Sequence, residues 1–133
     1  MTLDWSIDHG RRLVFATLEQ STSEEELYRF LGEVIGEGAM AYGKIFDAST
    51  ATRWITPSRI GPIAATARLY GRMGLGPVGP LAIVVAGERA AARAREFALL
   101  ADASRAVRIF TGRDAAEAWL GAIDAAGGAP EGA

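Results

Sequence analysis

The chain has 133 residues, which suits one domain of ordinary size, and two separate cores would each be too small to hold. Half of its residues are apolar and 23% are charged, which excludes a disordered chain, and no apolar run approaches the ~18 residues of a membrane span. Zero cysteines and one histidine exclude disulfides, thiolate zinc sites, a cysteine nucleophile and a multi-histidine metal centre, and a net charge of -2 argues against a nucleic-acid binder.

In chain order, Leu3 to Asp8 and Arg12 to Leu18 read as two strands joined at Asp8-His9-Gly10-Arg11, whose Asp and Gly favour a tight turn. Thr22 with Glu25 and Ser23 with Glu26 form overlapping capping boxes before Leu27, Phe30, Leu31, Val34 and Ile35, which recur at helical spacing until Gly36 and Gly38. Lys44-Ile45-Phe46-Asp47, within 41–48, reads as a strand ending at a carboxylate. Thr56-Pro57 provides an N-cap with proline in the first helical position, but Pro62 would break that helix, so a short turn and a restart near Gly61-Pro62, running to about Arg72, are expected.

Leu81 to Ala86 contains no polar residue and is rich in β-branching, the signature of a strand covered on both faces of a parallel sheet. Glu88 to Asp102 follows as a helix with Ala90, Ala94, Phe97, Ala98 and Ala101 on one stripe. Ala106 to Phe110 reads as a shorter edge strand. Asp114 with Glu117 caps a last helix expected to bury Ala118, Trp119, Ala122 and Ile123, ahead of a Gly/Ala/Pro tail over 125–133.

The order ββαβαβαβα predicts a single α/β domain over 1–124 with a mostly parallel sheet of four or five strands. If the strands lie in sequence order, right-handed crossovers place the main helices on one face. The doubly apolar strand then needs a cover on the other face, which the N-terminal hairpin, a partner subunit or an apolar ligand could supply.

Charge is unevenly spread: residues 1–47 carry net -5, residues 48–87 net +4 with no carboxylate, and residues 88–133 net -1. Arg53, Arg59, Arg68 and Arg72 can therefore form a positive face suited to an anion or an acidic partner, although they also fit a compositional bias toward Ala, Arg and Gly. Asp47, at the carboxyl end of its strand, occupies the usual ligand position of open α/β sheets, or else caps the following turn. Leu69 and Met73 fall off the Ile63, Ala64, Ala67 and Tyr70 stripe, as a self-association or ligand surface would.

Gly74-Leu75-Gly76-Pro77-Val78-Gly79 matches a dinucleotide-binding pattern, but it lies between a helix and a strand in the wrong order, so it reads as a connecting loop. His9 has only Asp8 as a neighbouring partner in sequence, and adjacent side chains of an extended chain point apart. Glu24-Glu25-Glu26 suits the first turn of a helix without any catalytic role. No cofactor or metal site is indicated.

Lys44-Ile45-Phe46-Asp47-Ala48-Ser49, followed by Trp54-Ile55-Thr56-Pro57-Ser58-Arg59-Ile60-Gly61, resembles the strand, loop and helix start of STAS domains, the group that contains bacterial anti-sigma-factor antagonists. Val107-Arg108-Ile109-Phe110, with Asp114, Glu117-Ala118 and Trp119-Leu120, resembles the ending of the small SpoIIAA-like family, described as STAS/Sec14-like. The likeness covers about residues 3–124. It implies a regulatory or protein-interaction module. Met1 to Asp8 holds two acids and no apolar stretch of a signal peptide, so a cytoplasmic protein is expected, and Asp47, Arg53, Trp54, Thr56, Arg59, Arg68, Leu69, Arg72 and Met73 are the candidate ligand or partner contacts.

In the antagonists, a serine of an Asp-Ser-Ser/Thr-Gly motif is phosphorylated at that helix start, and Ser58 holds the matching position. Thr56, Pro57 and Arg59 replace the motif's acid, its other serine and its glycine. A homodimer is expected from Leu69, Met73 and the uncovered sheet face. The Sec14-like relationship implies the alternative of a binder of lipid or another apolar molecule, and a small enzyme using Asp47 with Arg53 or Arg59 is a third reading.

Overall fold

The computed structural model describes residues 3–51, 79–100 and 107–127, together with Ala65, Leu69 and Arg72. Strands β1 (Leu3–Asp8) and β2 (Leu13–Leu18) form an antiparallel hairpin. Helix α1 (Glu24–Gly36) leads to β3 (Gly43–Asp47). Further on come β4 (Leu81–Val84), α2 (Glu88–Leu100), β5 (Val107–Phe110) and α3 (Arg113–Gly127). The sheet has five strands in the order β1-β2-β3-β4-β5, and every pair from β2 onward is parallel. The fold is α/β with a mostly parallel sheet, and β5 lies at an edge as its sequence indicates.

Local chemistry sets the first boundaries. The Ser23 hydroxyl accepts from the Glu26 amide at 3.1 Å and the Glu26 carboxylate accepts from the Ser23 amide at 3.1 Å, so α1 starts on a reciprocal capping box. The overlapping Thr22 box does not form. The Thr22 hydroxyl is buried and accepts from the Glu19 amide at 3.0 Å, which shapes the turn before the helix. At the other end Gly38 takes φ +71, its amide bonds the Ile35 carbonyl at 3.0 Å, and the Ala39 amide bonds that of Val34 at 2.9 Å. This is a Schellman closure, which needs a left-handed residue at the position glycine occupies.

Two apolar layers sandwich the sheet. On one face Leu27, Phe30 and Val34 of α1 and Ala90, Ala91 and Ala94 of α2 pack with Leu3, Val14, Ala16, Leu18, Ile83 and Val85. On the other, Ala116 and Leu120 of α3 pack with Leu13, Ile45, Ala82 and Val84, flanked by Phe15, Phe110 and Trp119. Strand β4 is buried along its whole length because it contributes to both layers.

Among the described residues the second face is therefore covered by the chain's own α3. The handedness rule binds only helices that connect two parallel strands. With no described strand after it, α3 is free of that rule and folds to the opposite side from α1 and α2. Its buried stripe is also displaced from the expected one: Ala116 and Leu120 are buried, Trp119 and Ile123 half-buried, and Ala118 and Ala122 exposed. Asp114 lies within the first turn and does not precede it, and the helix continues past Asp124 to Gly127 on helix-favouring alanines.

Before β3, the loop 39–42 is fixed from inside. Lys44 is 7% exposed, and its Nζ donates to the carbonyls of Met40 at 2.6 Å and Tyr42 at 2.9 Å. The Gly79 amide also donates to the Met40 carbonyl, at 2.8 Å. A Cβ on Gly79 would overlap the carbonyl oxygens of Tyr42 and Ala41, so close approach of two backbone segments explains this glycine without a phosphate.

Candidate functional site

At the carboxyl end of β3, one oxygen of Asp47 accepts from the Ser49 hydroxyl at 2.6 Å and from the Ser49 amide at 3.0 Å. The carboxylate therefore turns the chain as it leaves the strand, assisted by the Ala48 amide on the Val84 carbonyl at 2.8 Å. Strands β2 to β5 follow one another in sequence order, so the described sheet has no reversal of strand order of the kind that opens a ligand crevice.

Of the other residues singled out from the sequence, Arg53, Trp54, Thr56, Ser58, Arg59, Arg68 and Met73 lie outside the described residues. Leu69 and Arg72 are helical, as is Ala65, and all three are exposed, Leu69 at 58%. Their spacing of four and three residues puts them on one stripe of a helix. The segment 48–87 that contains them holds four arginines and no carboxylate.

A second cluster joins three segments that are distant in sequence. His9, in the hairpin turn, places Nε2 3.0 Å from a carboxylate oxygen of Glu37, the C-cap of α1. Its Nδ1 lies 2.7 Å from the hydroxyl of Tyr42 in the loop before β3. A carboxylate can only accept, so Nε2 carries the proton of the neutral ring, and Nδ1 accepts from the Tyr42 hydroxyl. The His9 and Tyr42 rings meet edge to face at 5.5 Å.

The Arg12 guanidinium lies 5.1 Å from the centre of the Tyr42 ring. Arg12 holds φ at +56, a left-handed conformation that a long side chain rarely adopts and that costs about 1–3 kcal/mol. Its carbonyl accepts from the Gly43 amide at 3.2 Å, and the Asp8 carboxylate accepts from the Arg11 amide at 3.0 Å. His9 therefore meets Glu37 and Tyr42, while the neighbouring Asp8 carboxylate is engaged with the Arg11 amide. Sequence reasoning missed Glu37 and Tyr42 because they lie 28 and 33 residues from His9. The one local hint is that α1 has no basic residue in its last turn, a position where a cation from elsewhere is favourable.

On the α3 side of the hairpin, the guanidiniums of Arg11 and Arg113 lie 5.6 and 5.0 Å from the Phe15 ring centre. Both pair with Glu117, at 3.3 and 3.5 Å, which ties α3 to the turn and neutralises one charge. Among the described residues no cluster of acids and histidine is arranged to hold a metal. No described helix is long and apolar enough to cross a membrane.

Comparison with protein-family models, with curated proteins and with solved structures finds no match for this chain.

Proposed function

We propose that this chain is a regulatory module of STAS-like type that works by binding another protein through the carboxylate-free segment 48–87. The observation that carries this reading is the pairing of a self-sealed sheet with an exposed Leu69 and Arg72. Once α3 covers the second face, the doubly apolar β4 is accounted for inside the chain. An apolar ligand is no longer needed as a cover, and the lipid-binding alternative loses the sequence feature that motivated it. The enzymatic alternative is weakened in a similar way, since the Asp47 carboxylate is engaged by Ser49. A homodimer is now supported by Leu69 alone and is one form that such a contact can take.

The test places a photo-crosslinking amino acid at Leu69, with Glu25, exposed on α1, as the control position. Irradiation in the native lysate should give a discrete adduct from position 69 and none from position 25, with the same acidic partner in repeated experiments. An adduct of twice the chain mass would identify the partner as a second copy. No adduct at position 69, together with an apolar molecule released from the purified protein in native mass spectrometry, would overturn the proposal in favour of ligand binding.

A further inference from the structure

Glu37, His9 and Tyr42 form a connected line of carboxylate, imidazole and hydroxyl, with distances of 3.0 and 2.7 Å and only one protonation pattern for the neutral ring. A phenol is almost wholly protonated at neutral pH and attacks an electrophile only when a base takes its proton. Here the base already accepts from the hydroxyl and is itself oriented by a third group, which is the logic of an activated oxygen nucleophile. Arg12 contributes a positive charge beside the ring on which negative charge develops as the proton leaves.

The backbone beneath this line is fixed. The Tyr42 carbonyl accepts from the buried Lys44 ammonium, its amide donates to the Ala39 carbonyl at 3.1 Å, and the Gly79 backbone packs closely against its carbonyl. The strained Arg12 is retained at this one place in the hairpin. Tyr28, by comparison, is exposed on α1 at 38% and serves as an ordinary tyrosine in the same molecule.

We propose that Tyr42 is a nucleophilic tyrosine that accepts an acyl group from an activated ester, with His9 as general base and Glu37 as the residue that positions it. In the step, Tyr42 Oη attacks the ester carbonyl carbon and its proton passes to His9 Nδ1. A tetrahedral intermediate then expels the leaving oxygen. The new bond is Tyr42 Oη to the acyl carbon, the broken bond is the acyl carbon to the leaving oxygen, and the departing alcohol or phenol takes the proton from His9. No oxidant, reductant or metal enters. Acyl transfer asks only for a base on the hydroxyl and a carbonyl electrophile, whereas phosphoryl transfer asks for several cations around the transferring oxygens, and here one guanidinium, that of Arg12, lies beside the ring.

The experiment treats the full chain with p-nitrophenyl acetate at neutral pH and reads acetylation of each tyrosine by peptide mass spectrometry, alongside release of p-nitrophenolate. The expected result is acetylation of Tyr42 at least tenfold faster than Tyr28. His9→Phe should reduce the Tyr42 rate to that of Tyr28, Glu37→Gln should reduce it several-fold, and Tyr42→Phe should abolish the fast phase of p-nitrophenolate release. Far-ultraviolet circular dichroism on each variant checks that the fold is kept, and Glu37→Gln preserves side-chain shape should the larger change disturb the turn. Equal rates at Tyr42 and Tyr28, or a Tyr42 rate unchanged in His9→Phe, would overturn the proposal. Neither outcome would bear on partner binding at Leu69.

Discussion

The side-chain ammonium of Lys44 and the backbone amide of Gly79 converge on one acceptor, the Met40 carbonyl, at 2.6 and 2.8 Å. This contact joins the loop before β3 to the segment before β4, and it sets both where the two parallel strands begin and where Tyr42 stands. Replacing Lys44 by Met keeps the aliphatic stem but removes the donor to the Tyr42 carbonyl. Expected is a loss of about 1–3 kcal/mol, read from urea denaturation, since a buried acceptor loses a charge-assisted hydrogen bond. Lys44→Arg should not restore it, because a planar guanidinium does not fit a site shaped for a compact ammonium.

Gly79→Ala tests the other half of the same contact. The added methyl meets backbone carbonyls, which cannot rotate aside as a side chain would. A loss of at least about 3 kcal/mol is expected, the upper range of overpacking costs, with a matching drop in the thermal midpoint.

Leu120 is 2% exposed and closes the α3 face over Ile45 and Val84. Leu120→Ala should cost about 2–5 kcal/mol in denaturant unfolding. A dye that fluoresces on apolar surface should bind this variant more strongly than the parent chain, because the uncovered sheet face is continuous.

Ser23→Ala removes one half of the capping box at α1 and leaves the Glu26 amide without its side-chain acceptor. The expected loss is about 1 kcal/mol. Ser23→Asp should recover most of it, since a carboxylate also accepts there and favours the positive end of the helix dipole.

Leu69→Asp should leave stability within about 0.5 kcal/mol of the parent, because a 58% exposed side chain has little buried surface to lose. Partner capture at that surface should nevertheless fall at least tenfold, as the added carboxylate repels an acidic partner. Calorimetric unfolding and the crosslinking yield, measured on the same preparation, separate the two effects.

Much of the architecture was legible because it is written in short-range patterns. The alternation of Leu3, Trp5 and Ile7 against Asp4, Ser6 and Asp8 marks a strand buried on one side, and it lies at the sheet edge with its polar residues on the side away from α1. The unbroken apolar run of β4 announced burial on both faces. What covered the second face was not legible, since the direction in which α3 turns after β5 depends on long-range packing of Ala116 and Leu120 and on no local signal. The His9 cluster was hidden for a related reason: its three members come from a turn, a helix end and a loop, and only the closed hairpin and the clamped loop bring them together. Asp47 carried two readings that sequence could not separate, and the position of the Ser49 hydroxyl decides for the turn.

The placement of α3 has a consequence for synthesis. All five described strands leave the ribosome before Arg113–Gly127 does, so a nascent sheet made of them presents Leu13, Ile45, Ala82 and Val84 bare to solvent or to a chaperone until α3 arrives. A translation product stopped near residue 112 would hold every described strand and still be sticky, which makes α3 the step that separates a closed sheet face from one open to aggregation or degradation.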